Sequence, residues 1–102
     1  PKTIKEMKII GESINAPLVA NMIEGGATPI ISKSKLHKMG FKIVLYPLSV
    51  LFSNTYSTLK LLQELKKSGT TRKLSKQIVN FNQFNDVVEL AKYRKLEQKY
   101  KK

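Results

Sequence analysis

The chain has 102 residues, no cysteine, and a formal net charge of +12 from 19 Lys and Arg against 7 Asp and Glu. The missing cysteines exclude a disulfide scaffold and a thiolate metal site, and they fit a reducing compartment. Its apolar runs fall far short of the ~20 residues that span a bilayer, and no signal-peptide core opens the chain, so a cytoplasmic protein is expected.

In chain order, Thr3 followed by Glu6 has the spacing of a capping box, in which the hydroxyl accepts from a backbone N–H and the carboxylate reaches back. Ile4, Met7, Ile10 and Ile14 follow at helical intervals, with Lys2, Lys5 and Lys8 on the outer side, predicting a helix over 4–13. Pro17 removes a ladder donor and belongs at the start of a strand. The run of residues 18–22 then reads as that strand, and residues 43–46 as a second one, stopped by Pro47. Neither run alternates apolar with polar, so each is expected to be covered on both faces, as in a parallel sheet. Between them, Ser32 or Ser34 can cap a short helix burying Leu36 and Met39, with Gly40 as its left-handed terminator. His37, the single histidine, falls beside Lys35 and Lys38 on the wet side and reads as a surface residue.

Ser49 reads as the cap of the longest helix, whose stripe runs through Phe52, Tyr56, Leu59, Leu62 and Leu65, widened by Leu51 and Leu61. About twenty residues at 1.5 Å each make about 30 Å, more than a two-strand sheet can cover. Residues 70–80 read as a polar, basic linker. Phe81, Phe84, Val87, Val88 and Leu90 form an expected compact apolar cluster, and Tyr93, Leu96 and Tyr100 carry the helical period onward. Residues 92–102 hold six basic side chains and one acidic, whereas 16–29 hold no basic residue. The positive charge therefore lies mainly outside the strand–helix–strand unit and reads as a solvated face.

Two parallel strands do not make a stable sheet, so the chain is expected to be the C-terminal part of a larger α/β protein. A closed (β/α)8 barrel takes ~250 residues, and these would be its last two strands. Ligand groups then project from the carboxyl ends of the strands. Asn21, Glu24, Gly25 and Gly26 occupy one such end, and residues 46–49 the other. An uncharged amide at a strand end suits a carboxylate or carbonyl oxygen, though it equally serves to tie down a loop. The glycine pair lets a loop turn sharply or close over a small ligand. No dinucleotide fingerprint, P-loop or Ser-His-Asp set is present.

The run Asn21-Met22-Ile23-Glu24-Gly25-Gly26-Ala27-Thr28-Pro29, followed by Gly40-Phe41 and Leu45-Tyr46-Pro47-Leu48-Ser49, resembles the isocitrate lyase/phosphoenolpyruvate mutase superfamily. The similarity is greatest to its methylisocitrate lyase, alkylmalate lyase and carboxyphosphonoenolpyruvate phosphonomutase branch. The resemblance extends over Gly69-Thr70-Thr71 and residues 81–100. It implies an α/β TIM-type barrel of which residues 1–69 form the last βα units and 70–102 a helical extension, with long C-terminal helices, the one from Ser49 suiting this, exchanged with a neighbouring subunit, commonly in a homo-tetramer. It also implies a Mg²⁺-dependent carbon–carbon lyase working through a pyruvate enolate, with a small carboxylate substrate and neither nucleic acid nor membrane as partner. Asn21, Leu45 and Pro47 match substrate-binding positions. The family's catalytic and Mg²⁺-binding residues would lie upstream, so none falls on a residue here, no metal or acid–base role attaches to Glu24, and the stretch alone is expected to be inactive. The phosphonomutase is the alternative within the family, and a small basic nucleic-acid-binding module the alternative outside it.

Overall fold

The computed structural model describes residues 1–101. Its elements are α1 (Ile4–Ser13), β1 (Leu18–Asn21), α2 (Lys33–Lys38), β2 (Phe41–Leu45), α3 (Ser49–Ser68), a 3₁₀ helix (Arg72–Gln77), α4 (Phe81–Val87) and α5 (Leu90–Tyr100). The chain divides into two compact units, Pro1–Thr58 and the residues from Leu59 onward.

In the first unit, α1 begins where the spacing predicts. Thr3 accepts from the backbone N–H of Glu6 at 3.1 Å. The Glu6 carboxylate, however, takes the backbone N–H of Lys2 at 2.6 Å instead of that of Thr3. The box is displaced by one residue, because Lys2 presents the freer donor ahead of the cap. Ser32, of the two candidate caps, accepts from Lys35 N–H at 3.4 Å, and Gly40 takes the left-handed conformation after α2 with φ 94°.

Strands β1 and β2 pair in parallel, with Val19 opposite Ile43, Ala20 opposite Val44 and Asn21 opposite Leu45. Both strands end one residue earlier than expected, and β2 also begins two residues earlier. Residue 22 falls outside β1, and Phe41 and Lys42 extend β2 at the expense of Tyr46. The register slips between Leu18 and Val19, where one step on β1 faces two on β2. That slip turns Phe41 and Val44, three residues apart, to the same side. The side is the helical one. Met7, Ala20, Met22, Ile31, Leu36 and Phe41 form its core, with Ile10, Leu18, Met39 and Val44 packed around them. Gly11 allows the closest approach, since a Cβ there would lie 1.6 Å from the Met39 carbonyl oxygen at the end of α2.

The expected coverage of both strand faces is half met. Val19, Ile43 and Leu45 remain 50%, 52% and 46% exposed, because the described residues supply helices for one face and nothing for the other. The architecture is α/β with two parallel strands, consistent with part of a barrel.

The long helix α3 ends at Ser68 as its stripe predicts, followed by Gly69 with φ 69°. None of its residues is buried. In the second unit, the expected linker contains the 3₁₀ helix, and Leu74 there is buried. The expected compact cluster of Phe81, Phe84, Val87, Val88 and Leu90 is not compact: the first four are exposed, Phe81 at 87%, and Leu90 is half-buried. Seven residues of α4 followed by a break at Glu89, with φ 52°, leave no second layer to bury that face. Local bonds dominate here, including an Asn80–Gln83 capping box with both bonds at 2.9 Å.

Candidate functional site

The two strands run in parallel and finish level, which brings their carboxyl ends together. Asn21 and Leu45 are register partners, and one residue further the Met22 N–H donates to the Leu45 carbonyl at 2.8 Å. Because side chains alternate along a strand, Val19 and Asn21 share a face with Ile43 and Leu45. That is the open face. Asn21 is therefore exposed at the C-terminal edge of an apolar strip, opposite Leu45, which Pro47 follows two positions later. Among the described residues, nothing hydrogen-bonds its side-chain amide. A loop-bracing role for Asn21 is thus not what the geometry displays.

The loop after β1 is braced by its neighbours. The Gly26 N–H donates to the Ile23 carbonyl at 3.0 Å, closing a turn over residues 23–26. Gly25, with φ 74°, stands third in that turn, where a side chain would be strained. Glu24 stands second, and its carboxylate accepts a hydrogen bond from the Ser49 hydroxyl at 2.5 Å. Further along, the Thr28 hydroxyl donates to the Pro1 carbonyl at 2.8 Å. The Ser49 hydroxyl holds the Glu24 carboxyl below its ordinary range, its own backbone N–H adds to this, and slight burial opposes it.

Ser49 corrects one expectation. It is the first residue of α3, and its hydroxyl donates a hydrogen bond to a carboxylate 25 positions upstream. No sequence signal pairs these residues, since only the strand pairing brings their loops together. Leu45 is the last residue of β2, Pro47 lies two positions beyond it, and Gly25 and Gly26 shape the facing loop. His37 is exposed on α2, away from these strand ends. No group of three His, Asp or Glu that could hold a metal ion exists among the described residues. A resident Mg²⁺ does not fit them, Glu24 being the one carboxylate at the strand ends and already engaged by Ser49. No helix among them is long and apolar enough to cross a membrane.

No protein-family model matches the chain. It is 36% identical over 100 residues to the chloroplastic carboxyvinyl-carboxyphosphonate phosphorylmutase of Arabidopsis thaliana, covering 98% of this chain and 30% of that protein. It is also 36% identical over 100 residues to the 2,3-dimethylmalate lyase of Eubacterium barkeri, covering 98% of this chain and 35% of the lyase. The fold superposes on a crystal structure of 2,3-dimethylmalate lyase, described as a PEP mutase/isocitrate lyase superfamily member, with TM-score 0.80 and 26% identity. That match covers 97% of this chain and 35% of the other. The chain thus spans about a third of the length of the relatives it matches.

Proposed function

Because this chain belongs to the PEP mutase/isocitrate lyase superfamily, we propose that it forms the C-terminal portion of a carbon–carbon lyase acting on a 2-alkylmalate or methylisocitrate type of substrate. The observation that carries the reading is the pairing of Asn21 with Leu45 at the level ends of two parallel strands, with the amide open to solvent. Cleaving the C2–C3 bond of such a 2-hydroxy acid removes the 2-hydroxyl proton and turns that oxygen into the carbonyl of the released pyruvate. The bond's electron pair passes to C3 and settles on the oxygen of its carboxylate as an enediolate, until a proton returns to carbon. An amide N–H donor beside that oxygen is worth more as charge develops than before, which is how it lowers the barrier. Leu45 and Pro47 offer an apolar wall that excludes water and holds the substrate's carbon skeleton against the amide. The Glu24-Gly25-Gly26 turn forms the facing rim.

The Mg²⁺ that the superfamily implies would supply charge stabilisation at the substrate's oxygens, held by residues other than those described here. In the same reading, residues 1–69 are barrel units and 70–102 a helical extension, and the long C-terminal helices, α3 among them, are exchanged between subunits of a cytoplasmic homo-tetramer. The unburied stripe of α3 supports this exchange. A phosphonomutase is the second reading, favoured by an identity to the Arabidopsis phosphorylmutase equal to that to the lyase.

The test is pyruvate release from 2-alkylmalates by a chain of the relatives' full length carrying these residues. Asn21→Ala in that enzyme lowers kcat/KM by roughly 10- to 1000-fold, as expected for losing a donor to a developing oxyanion. Unchanged kinetics in a folded variant would remove Asn21 from the site. Turnover of a carboxyphosphonate but no 2-alkylmalate would install the second reading.

A further inference from the structure

The Glu24–Ser49 bond joins the loop after β1 to the first turn of α3, 25 residues along the chain, at the edge of the sheet where Asn21 and Leu45 stand opposite each other. We propose that Glu24 is a positioning residue for the substrate site: its carboxylate, by accepting a hydrogen bond from the Ser49 hydroxyl, sets the spacing between the Asn21 loop and the wall of Leu45 and Pro47. The inference rests on the function proposed above and adds a role for a residue to which that function assigns none.

The two connections form a closed frame. At its base, the Met22 N–H is bonded to the Leu45 carbonyl at 2.8 Å. At its top, Glu24 is bonded to Ser49. Asn21 precedes one upright, and Pro47 lies within the other. Without the upper bond, the uprights would meet only at the end of the ladder, and the Gly25-Gly26 pair beyond Glu24 would leave the loop free to swing. The turn over residues 23–26 aims Glu24 at its partner by fixing the backbone on either side.

Chemistry favours a carboxylate in this place. An ionised carboxylate only accepts, so the Ser49 hydroxyl has one direction in which to donate. The first turn of α3 carries free N–H groups, whose partial positive charge favours an anion beside Ser49. The lowered carboxyl of Glu24 agrees with that arrangement. Both side chains are solvent-facing, and exposed polar bonds add little to global stability. The consequence of this bond is therefore geometric.

The experiment compares Glu24→Ala, Glu24→Gln, Ser49→Ala and the double alanine variant in an enzyme of the relatives' full length. Each single alanine lowers kcat/KM about tenfold, chiefly through KM, as loss of alignment at a site does. The double variant falls no further than the worse single, because both remove the same bond. Glu24→Gln recovers most of the loss, since its amide oxygen still accepts from Ser49, and the melting temperature moves little throughout. Losses that multiply in the double variant would overturn the proposal. So would a Gln variant as damaged as the Ala variant beside an unaffected Ser49→Ala, which would place the Glu24 charge on the ligand itself.

Crystal structures of the parent and Glu24→Ala give a readout that needs no turnover. The frame requires residues 23–29 to move relative to Leu45 and Ser49 by about 1 Å or more, the scale at which alignment fails. Superimposable loops would overturn the proposal. A parent enzyme that releases no pyruvate defeats the lyase reading instead, and a displaced loop in that case still upholds the Glu24 role.

Discussion

The two units of this chain are made of similar material and end in different states. The first buries Met7, Met22 and Leu36 almost completely, with Ala20, Ile31 and Phe41 beside them. The second, from Leu59 onward, has Leu74 as its buried hydrophobic residue, although Phe81, Phe84, Val87 and Val88 are at least as apolar. Caps do not account for the difference. The Asn80–Gln83 box of α4 makes both of its bonds, whereas the Thr3–Glu6 pair of α1 makes one of the two. What the first unit has is a second layer. Its parallel strands give α1 and α2 a surface to lie on, while α4 and α5 offer each other short, locally bonded surfaces. Helix formation and burial are separate achievements, and burial supplies most of the free energy.

The largest expected effect sharpens that contrast. Leu36→Ala destabilises the first unit by about 2–5 kcal/mol, the range for emptying a filled core site, whereas Phe81→Ala in the 102-residue chain stays within about 0.5 kcal/mol. Urea unfolding followed by circular dichroism measures both. Equal losses would show that Phe81 is buried in solution and would break the comparison.

Gly11→Ala comes next. Its methyl would sit 1.6 Å from the Met39 carbonyl oxygen, so α1 has to back away from α2. Overpacking of this kind costs about 1–3 kcal/mol. An unshifted melting curve would mean that the helices have room between them.

Hydrogen exchange resolves the units amide by amide. Protection is expected in β1, β2 and α2, with α4 and α5 exchanging near the rate of an unstructured chain. Strong protection in α4 of the isolated 102-residue chain would show that it has found a covering surface. Sedimentation then tells whether that surface is another copy, since the open strip of Val19, Ile43 and Leu45 is itself prone to association.

The smallest effect is that of pH on Glu24. Its carboxyl in the folded chain lies below the ordinary 4.5 because Ser49 donates to it. A depressed folded value means that the ionised form is bound more favourably in the folded state. The contribution is therefore complete above about 4.5 and is lost as pH falls through the folded value. The stability difference between the parent and Glu24→Gln should be largest near neutrality and shrink in acid. The group is exposed, so the difference is small. A difference that grows as pH falls would contradict the Ser49 contact.

Local chemistry made much of this molecule legible in advance. Thr3, Ser32 and Gly40 mark helix ends because caps and left-handed terminators act within a few residues. The spacing of Met7, Ile10, Leu36 and Met39 identified the inward sides of α1 and α2, which contribute to the core. Asn21 stood out as a candidate because ligand groups project from strand ends, whereas Leu45 and Pro47 became candidates only through the resemblance. The apolar runs at 18–22 and 43–46 marked the strands, though not their limits, since an unalternating pattern carries no register. Only pairing decided that β1 slips against β2, placing Phe41 and Val44 on one side, and that Asn21 finishes level with Leu45. Only folding decided that Glu24 accepts a hydrogen bond from Ser49. Nor could periodicity say which apolar stripes find cover. The stripes of α1 and α3 look alike as patterns, yet one contributes Met7 to a core and the other buries nothing. Periodicity records which side of a helix would rather leave water, and tertiary structure determines whether anything is there to receive it.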